Sequence, residues 1–124
     1  MIEYLGVEMS PIERDGKQVV QFKMVFLSTN KNALFAIHKP VSPIALDNTD
    51  FLAGEYIAAC TESALRRYCK KRDEEITPEQ RDAMYKVIVD RVDQCTKAWR
   101  EGKQVFKIKE IDRENGKVQT DNGA

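Results

Sequence analysis

The strongest constraint on the fold is the segment from Thr77 to Gly102, TPEQRDAMYKVIVDRVDQCTKAWREG. Its apolar residues recur at steps of three and four, which places them on one stripe of an α-helix. They are Met84, Val87, Ile88, Val92, Cys95, Ala98 and Trp99. Thr77 suits the N-cap, Pro78 suits the first helical position, and Gln80 can complete a capping box. The pattern predicts a helix over residues 77–101 that ends at Gly102 and packs its stripe against another layer.

A second helix is predicted over residues 50–72, where Thr49 or Asp50 can cap the start. Its apolar sector is broader than the stripe of the later helix, which indicates deeper burial. This sector comprises Phe51, Leu52, Tyr56, Ile57, Cys60, Ala64, Leu65 and Tyr68. Because only a short link separates the two helices, we expect them to be antiparallel neighbours.

Alternating apolar residues predict a β-hairpin over residues 2–29, with its turn at Asp15-Gly16. The second strand of the hairpin is also apolar on part of its other face, so we expect it inside the sheet. Residues 33–37 form a possible third strand. Residues 38–48, which contain Pro40 and Pro43, predict a stiff apolar connection to the first helix.

Beyond Gly102, apolar residues again alternate with charged ones, and Asn115-Gly116 marks a tight turn. This pattern predicts a second hairpin over residues 104–120. The whole chain, 1–124, is then a single α+β domain. Its predicted order is β-β-(β)-α-α-β-β: an antiparallel sheet of four to five strands with two antiparallel helices packed on one face.

Twenty basic and twenty acidic residues cancel over the 124 residues, so the chain lacks the basic excess typical of duplex nucleic-acid binders. The first residues show neither the basic lead nor the apolar core of a signal peptide, and we expect a cytoplasmic protein. Three cysteines without a secretory signal indicate reduced thiols.

Candidates for catalysis are sparse. His38, the single histidine, could act as a general base with Asp47 or Asp50, although a lone histidine at a strand end is more often a surface residue. Cys69 lies among basic residues that could lower its thiol pKa, but no base accompanies it in the sequence. The spacing of Cys60, Cys69, Cys95 and His38 does not fit a zinc site. We therefore predict no catalytic residue, no metal and no cofactor.

A basic cluster at the end of the first predicted helix is the best candidate for contact with nucleic acid. It comprises Arg66, Arg67, Lys70, Lys71 and Arg72. Such a row could meet phosphate groups. The same residues could simply complement the negative end of the helix dipole.

Contact with a protein partner is the hypothesis we favour. Trp99 could anchor an interface near the end of the later helix, and Val41, Ile44 and Leu46 could cover a partner. An open sheet edge would also allow a homodimer. We therefore expect a small non-enzymatic interaction protein of accessory, adaptor or inhibitor type, the kind that phages and mobile elements often carry. The alternatives are a nucleic-acid-binding accessory protein and a small enzyme around His38 or Cys69.

Overall fold

A computed structural model gives the fold and describes residues 1–102. The elements in chain order are β1 (Ile2–Arg14), β2 (Lys17–Ser28), β3 (Ala33–Val41), α1 (Pro43–Asp47), α2 (Ala53–Arg72) and α3 (Pro78–Arg100). The predicted α+β class with an antiparallel sheet is confirmed. Within residues 1–102 the sheet has three strands, in the order β1-β2-β3. The hairpin predicted at 104–120 lies outside the described residues, so a sheet of four to five strands stays a prediction.

Both turns of the sheet follow from local sequence. Asp15 and Gly16 take positive φ angles of 54° and 78°, the conformation that a tight two-residue hairpin turn requires. Arg14 therefore pairs directly with Lys17, and β2 lies between β1 and β3. In the second turn Asn32 also has a positive φ, of 49°. Asparagine adopts this conformation more readily than most residues.

The third strand is longer than the sequence predicts. The expected strand covers residues 33–37, whereas β3 continues to Val41, with Pro40 opposite Gln21. An edge strand tolerates proline because one row of its backbone groups needs no partner in the sheet. The rest of the predicted stiff connection contains the short helix α1, whose N-cap Ser42 accepts a hydrogen bond from the Ala45 N–H at 3.1 Å.

The core lies between one sheet face and the helices, with α2 over β3 and α3 over β1. The sheet contributes Ile2, Val7, Met9, Val20, Phe22, Met24, Phe26 and Val41, and the helices contribute Leu46, Ile57, Leu65, Met84, Ile88, Val92 and Cys95 among others. The sheet residues share one face because side chains alternate along each strand, and the irregularity between Tyr4 and Gly6 in β1 brings Ile2 to the same face as Val7 and Met9. Leu5, Val25, Leu27, Leu34 and Ala36 lie outside this core cluster.

The two long helices begin differently. Thr77 and Gln80 form the predicted capping box of α3, with N···O distances of 3.0 and 3.1 Å, and Gly102 follows the helix with a φ of 73°. The predicted cap of α2 at Thr49 or Asp50 is wrong. Its N-cap is Leu52, which offers no side-chain acceptor, because the residues before it form a turn in which the Asp50 N–H bonds to Asn48 Oδ1.

Candidate protein-docking surface

The α1 connection, residues 42–52, leads from β3 to α2. Within α1, Leu46 is fully buried in the core, whereas the side chain of Ile44 is 84% exposed. The two residues point differently because a two-residue step on a helix turns the side chain through more than half a circle. One face of this short helix therefore anchors it to the domain, and the other presents a large apolar side chain to solvent.

Two residues near the end of α3 hold the α1 connection in place. Arg100 donates from Nε to the Leu46 carbonyl at 2.6 Å and from Nη2 to the carbonyls of Asn48 and Phe51 at 2.8 and 3.3 Å. Trp99 donates from Nε1 to Asp47 Oδ1 at 3.1 Å. Because the guanidinium group is a planar fork of donors, it fixes several carbonyls of the connection relative to α3.

Two further apolar side chains are exposed around the start of α2. Leu52 is 61% exposed and Tyr56 is 41% exposed. The Tyr56 ring lies 5.5 Å from that of Phe51, and Lys39 Nζ lies 5.6 Å from the Tyr56 centroid, within range of a cation–π contact. We call Ile44, Leu52 and Tyr56 the candidate docking surface.

A cavity of about 330 Å³ adjoins this surface at Leu52. Phe51 and Leu52 form part of its apolar wall, while Asp93, Lys97 and Arg100 supply charged groups. A cavity with an apolar wall can receive an apolar side chain of a partner, and its charged groups of both signs can bind a polar group of the same partner. The exposed side chain of Leu52 thus lies at the edge of a cavity.

The residues predicted for a partner interface fall into different environments. Val41 and Leu46 are buried in the core, Trp99 packs partly against it through its ring, and Ile44 is exposed. Sequence reasoning missed Leu52 and Tyr56, which it assigned to the buried sector of the helix. The late start of α2 makes Leu52 a cap residue. Tyr56 is rotated by about 100° about the helix axis from the buried Ile57, which turns it away from the buried face.

All five residues of the predicted basic cluster are exposed on the last turns of α2. Two of them have ionic or ring contacts with other residues among 1–102. Arg66 lies 3.5 Å from Glu62, and the Arg72 guanidinium lies 5.0 Å from the centroid of Tyr68. The other three are Arg67, Lys70 and Lys71. A role for this cluster in binding nucleic acid stays a prediction.

The structure separates the catalytic candidates. His38 pairs with Lys23 in the sheet register, and its neighbour Ile37 packs against the core, so His38 faces away from the helices. Asp47, its proposed partner, bonds to Trp99 of α3. Burial raises the pKa of the Cys69 thiol, and the nearby Glu74 carboxylate acts in the same direction. The nearby basic residues therefore do not produce the lowered pKa that the sequence suggested.

One buried carboxylate was not anticipated. The side chain of Glu74, in the link between α2 and α3, is fully enclosed and accepts hydrogen bonds from Ser28 Oγ, the Met1 amino group at 2.9 Å and Asn30 Nδ2 at 3.3 Å. The hydrogen bond from Ser28, followed by that from the Met1 amino group, lowers the pKa of Glu74. With several partners satisfying it, the carboxylate ties the interhelical link to the sheet.

Among residues 1–102, no three histidine, cysteine, aspartate or glutamate side chains lie together as a metal site requires. No helix in this part of the chain has the length and apolar character needed to cross a membrane. Comparisons with family models, curated proteins and solved structures give no significant match to the chain.

Proposed function

We propose that this protein is non-enzymatic and acts by docking to another protein through Ile44, Leu52 and Tyr56. The observation that carries the proposal is the 84% exposure of Ile44 on a helix that Trp99 and Arg100 fix to α3. A rigid connection that leaves an apolar side chain in water loses little conformational freedom on binding. Burying such a side chain at an interface is worth roughly 1.5–3 kcal/mol.

The charges around the docking surface support a protein partner with a mixed polar rim. Lys39 lies beside Tyr56, and Asp93 and Lys97 line the neighbouring cavity. Apolar anchors surrounded by charges of both signs resemble the core-and-rim arrangement of protein interfaces. Under this proposal the protein is an accessory, adaptor or inhibitor, a class that includes proteins of phages and mobile elements. Small domains whose sequence lacks a catalytic signature are often of this kind.

The test is capture of the tagged protein's partner from a native lysate, with nuclease present, followed by measurement of binding to the purified partner. Replacing Ile44 and Leu52 by serine should weaken this binding at least about ten-fold, given the apolar area removed. Val87→Ser, at an exposed apolar residue of α3, is the matched control and should bind normally. Equal binding by all variants would contradict the proposed surface.

A homodimer is a further part of the proposal. Within residues 1–102, β1 and β3 each pair on one side only, and such edges expose backbone donors and acceptors to a second strand. Light scattering should then give twice the chain mass of 14.2 kDa. We also propose a cytoplasmic location, which suits the three free cysteines. Cell fractionation tests the location.

Nucleic-acid binding is the second candidate function, favoured by the exposure of all five residues of the basic cluster. If it is correct, replacing Arg67, Lys70 and Lys71 by glutamine should reduce retention on nucleic acid and the salt dependence of binding. If the docking function is correct, the same variant should still bind the protein partner. The third alternative, an enzyme at His38 or Cys69, gains no support from a thiol whose pKa is raised.

A further inference from the structure

A groove of about 190 Å³ opens between α2 and α3. Its apolar lining includes Ala58, Leu65, Ile76, Met84 and Ile88, with Cys69 at the end of α2 and Tyr85 on α3. Thr61 also lines the groove, but its hydroxyl donates to the Ile57 carbonyl at 2.7 Å within the same helix. The interior therefore suits the body of an apolar ligand.

The mouth of this groove is charged. Glu62 Oε2 lies 3.5 Å from Arg66 Nη2 and 3.3 Å from Arg81 Nε. One carboxylate is thus shared by two guanidinium groups, one from each helix, and the mouth carries one excess positive charge. Each guanidinium has five N–H donors, so donors remain for a second anion.

We infer that this groove binds a small amphiphilic carboxylate: an ionised, unesterified alkanoic acid of about six carbons in all. An apolar cavity of about 150 Å³ accommodates benzene, so a groove of this volume fits a body of that size. The carboxylate of the ligand would contact Arg66 and Arg81, since arginine binds carboxylates through paired hydrogen bonds. This inference is independent of the docking surface, which lies around α1 and the start of α2.

Hexanoate is the probe, and its binding is followed by NMR of methyl groups in the full chain. We expect saturable shifts of the Met84 and Ile88 methyl signals with a Kd of about 1 mM or below, and no shift at Met24, which lies in the sheet core. Arg81→Gln and Arg66→Gln should each weaken hexanoate binding about five-fold, the scale of a partly exposed ion pair. Hexanol, which has no charge, should bind these variants as it binds the wild-type protein.

Glu62→Gln should change the affinity for hexanoate in the opposite direction to the two arginine variants. It removes the carboxylate that competes for both arginines, so hexanoate should bind more tightly, which a merely structural role of Glu62 would not produce. Arg67→Gln, an exposed basic residue outside the groove lining, should leave binding unchanged. The inference is overturned if hexanoate shifts no groove methyl signal, or if neither Arg81→Gln nor Arg66→Gln, each folded by its NMR spectrum, weakens hexanoate binding.

Discussion

The backbone N–H of Gly54 donates a hydrogen bond to Oδ1 of Asp93 at 3.0 Å, which joins the start of α2 to the middle of α3. A Cβ placed on Gly54 would lie 2.5 Å from this oxygen and 2.5 Å from the carbonyl oxygen of Val89. The two helices therefore meet where no side chain fits between them. Asp93 provides a side-chain acceptor at a helix start whose own N-cap residue, Leu52, has no side-chain acceptor.

Gly54→Ala should destabilise the protein by about 2 kcal/mol, because the added methyl group collides with backbone that cannot move away cheaply. The higher helix propensity of alanine would by itself stabilise the protein, so the predicted loss is opposite in sign to the effect of propensity. Urea unfolding measures it. Ser63→Ala, on the exposed side of the same helix, is the control and should change the free energy of unfolding by less than about 0.5 kcal/mol. A stabilised Gly54→Ala would contradict the close approach.

Asp93→Ala should cost about 1 kcal/mol, the usual effect of removing a helix-capping acceptor. Asp90→Ala on the same helix is the comparison, since Asp90 accepts a surface hydrogen bond from Gln94 in the next turn. That bond should contribute less than about 0.5 kcal/mol. The denaturant midpoints of the two variants measure this difference. Equal losses of stability would show that the hydrogen bond to Gly54 does not stabilise the protein.

Arg100→Ala should lower the free energy of unfolding by about 2 kcal/mol, because three carbonyls of the α1 connection lose a charged donor. Arg100→Lys should recover only part of this loss, since an ammonium group cannot reproduce the fork of donors. Thermal unfolding of both variants is the measurement. Lys97→Ala, one helical turn earlier and exposed, should be nearly neutral. Full recovery by lysine would argue against the fixed geometry of the connection.

Glu74 should make stability depend on pH in acid. The pKa of Glu74 is lowered in the folded protein. Its contribution to the free energy of unfolding is therefore fully present above its pKa in the unfolded state, about 4.3, and is lost as the pH falls through its pKa in the folded state. The wild-type protein should be more stable than Glu74→Gln at pH 7, with a difference that shrinks below pH of about 4. Urea unfolding of both proteins at a series of pH values measures this difference. A difference that is independent of pH would contradict the lowered pKa.

Local chemistry made some features predictable from sequence. The start of α3 is formed by residues within four positions of each other, Thr77, Pro78 and Gln80. The first turn is likewise formed by the adjacent residues Asp15 and Gly16. Neither feature needs a distant residue. The start of α2 was predicted wrongly because a local cap was assumed. The acceptor instead comes from Asp93, 39 residues away along the chain.

The sequence by itself determined the α+β class, the central position of β2 and the capping box of α3, since alternation, turn residues and caps act over a few residues. Only the tertiary structure decided that Leu46 is buried while Ile44 is exposed, and that Leu52 and Tyr56 are exposed as well. The same holds for Glu74, whose partner Ser28 is 46 residues away. Burial and hydrogen bonding of these residues depend on groups that folding brings together from distant parts of the chain. The local periodicity of apolar residues does not predict which distant groups these are.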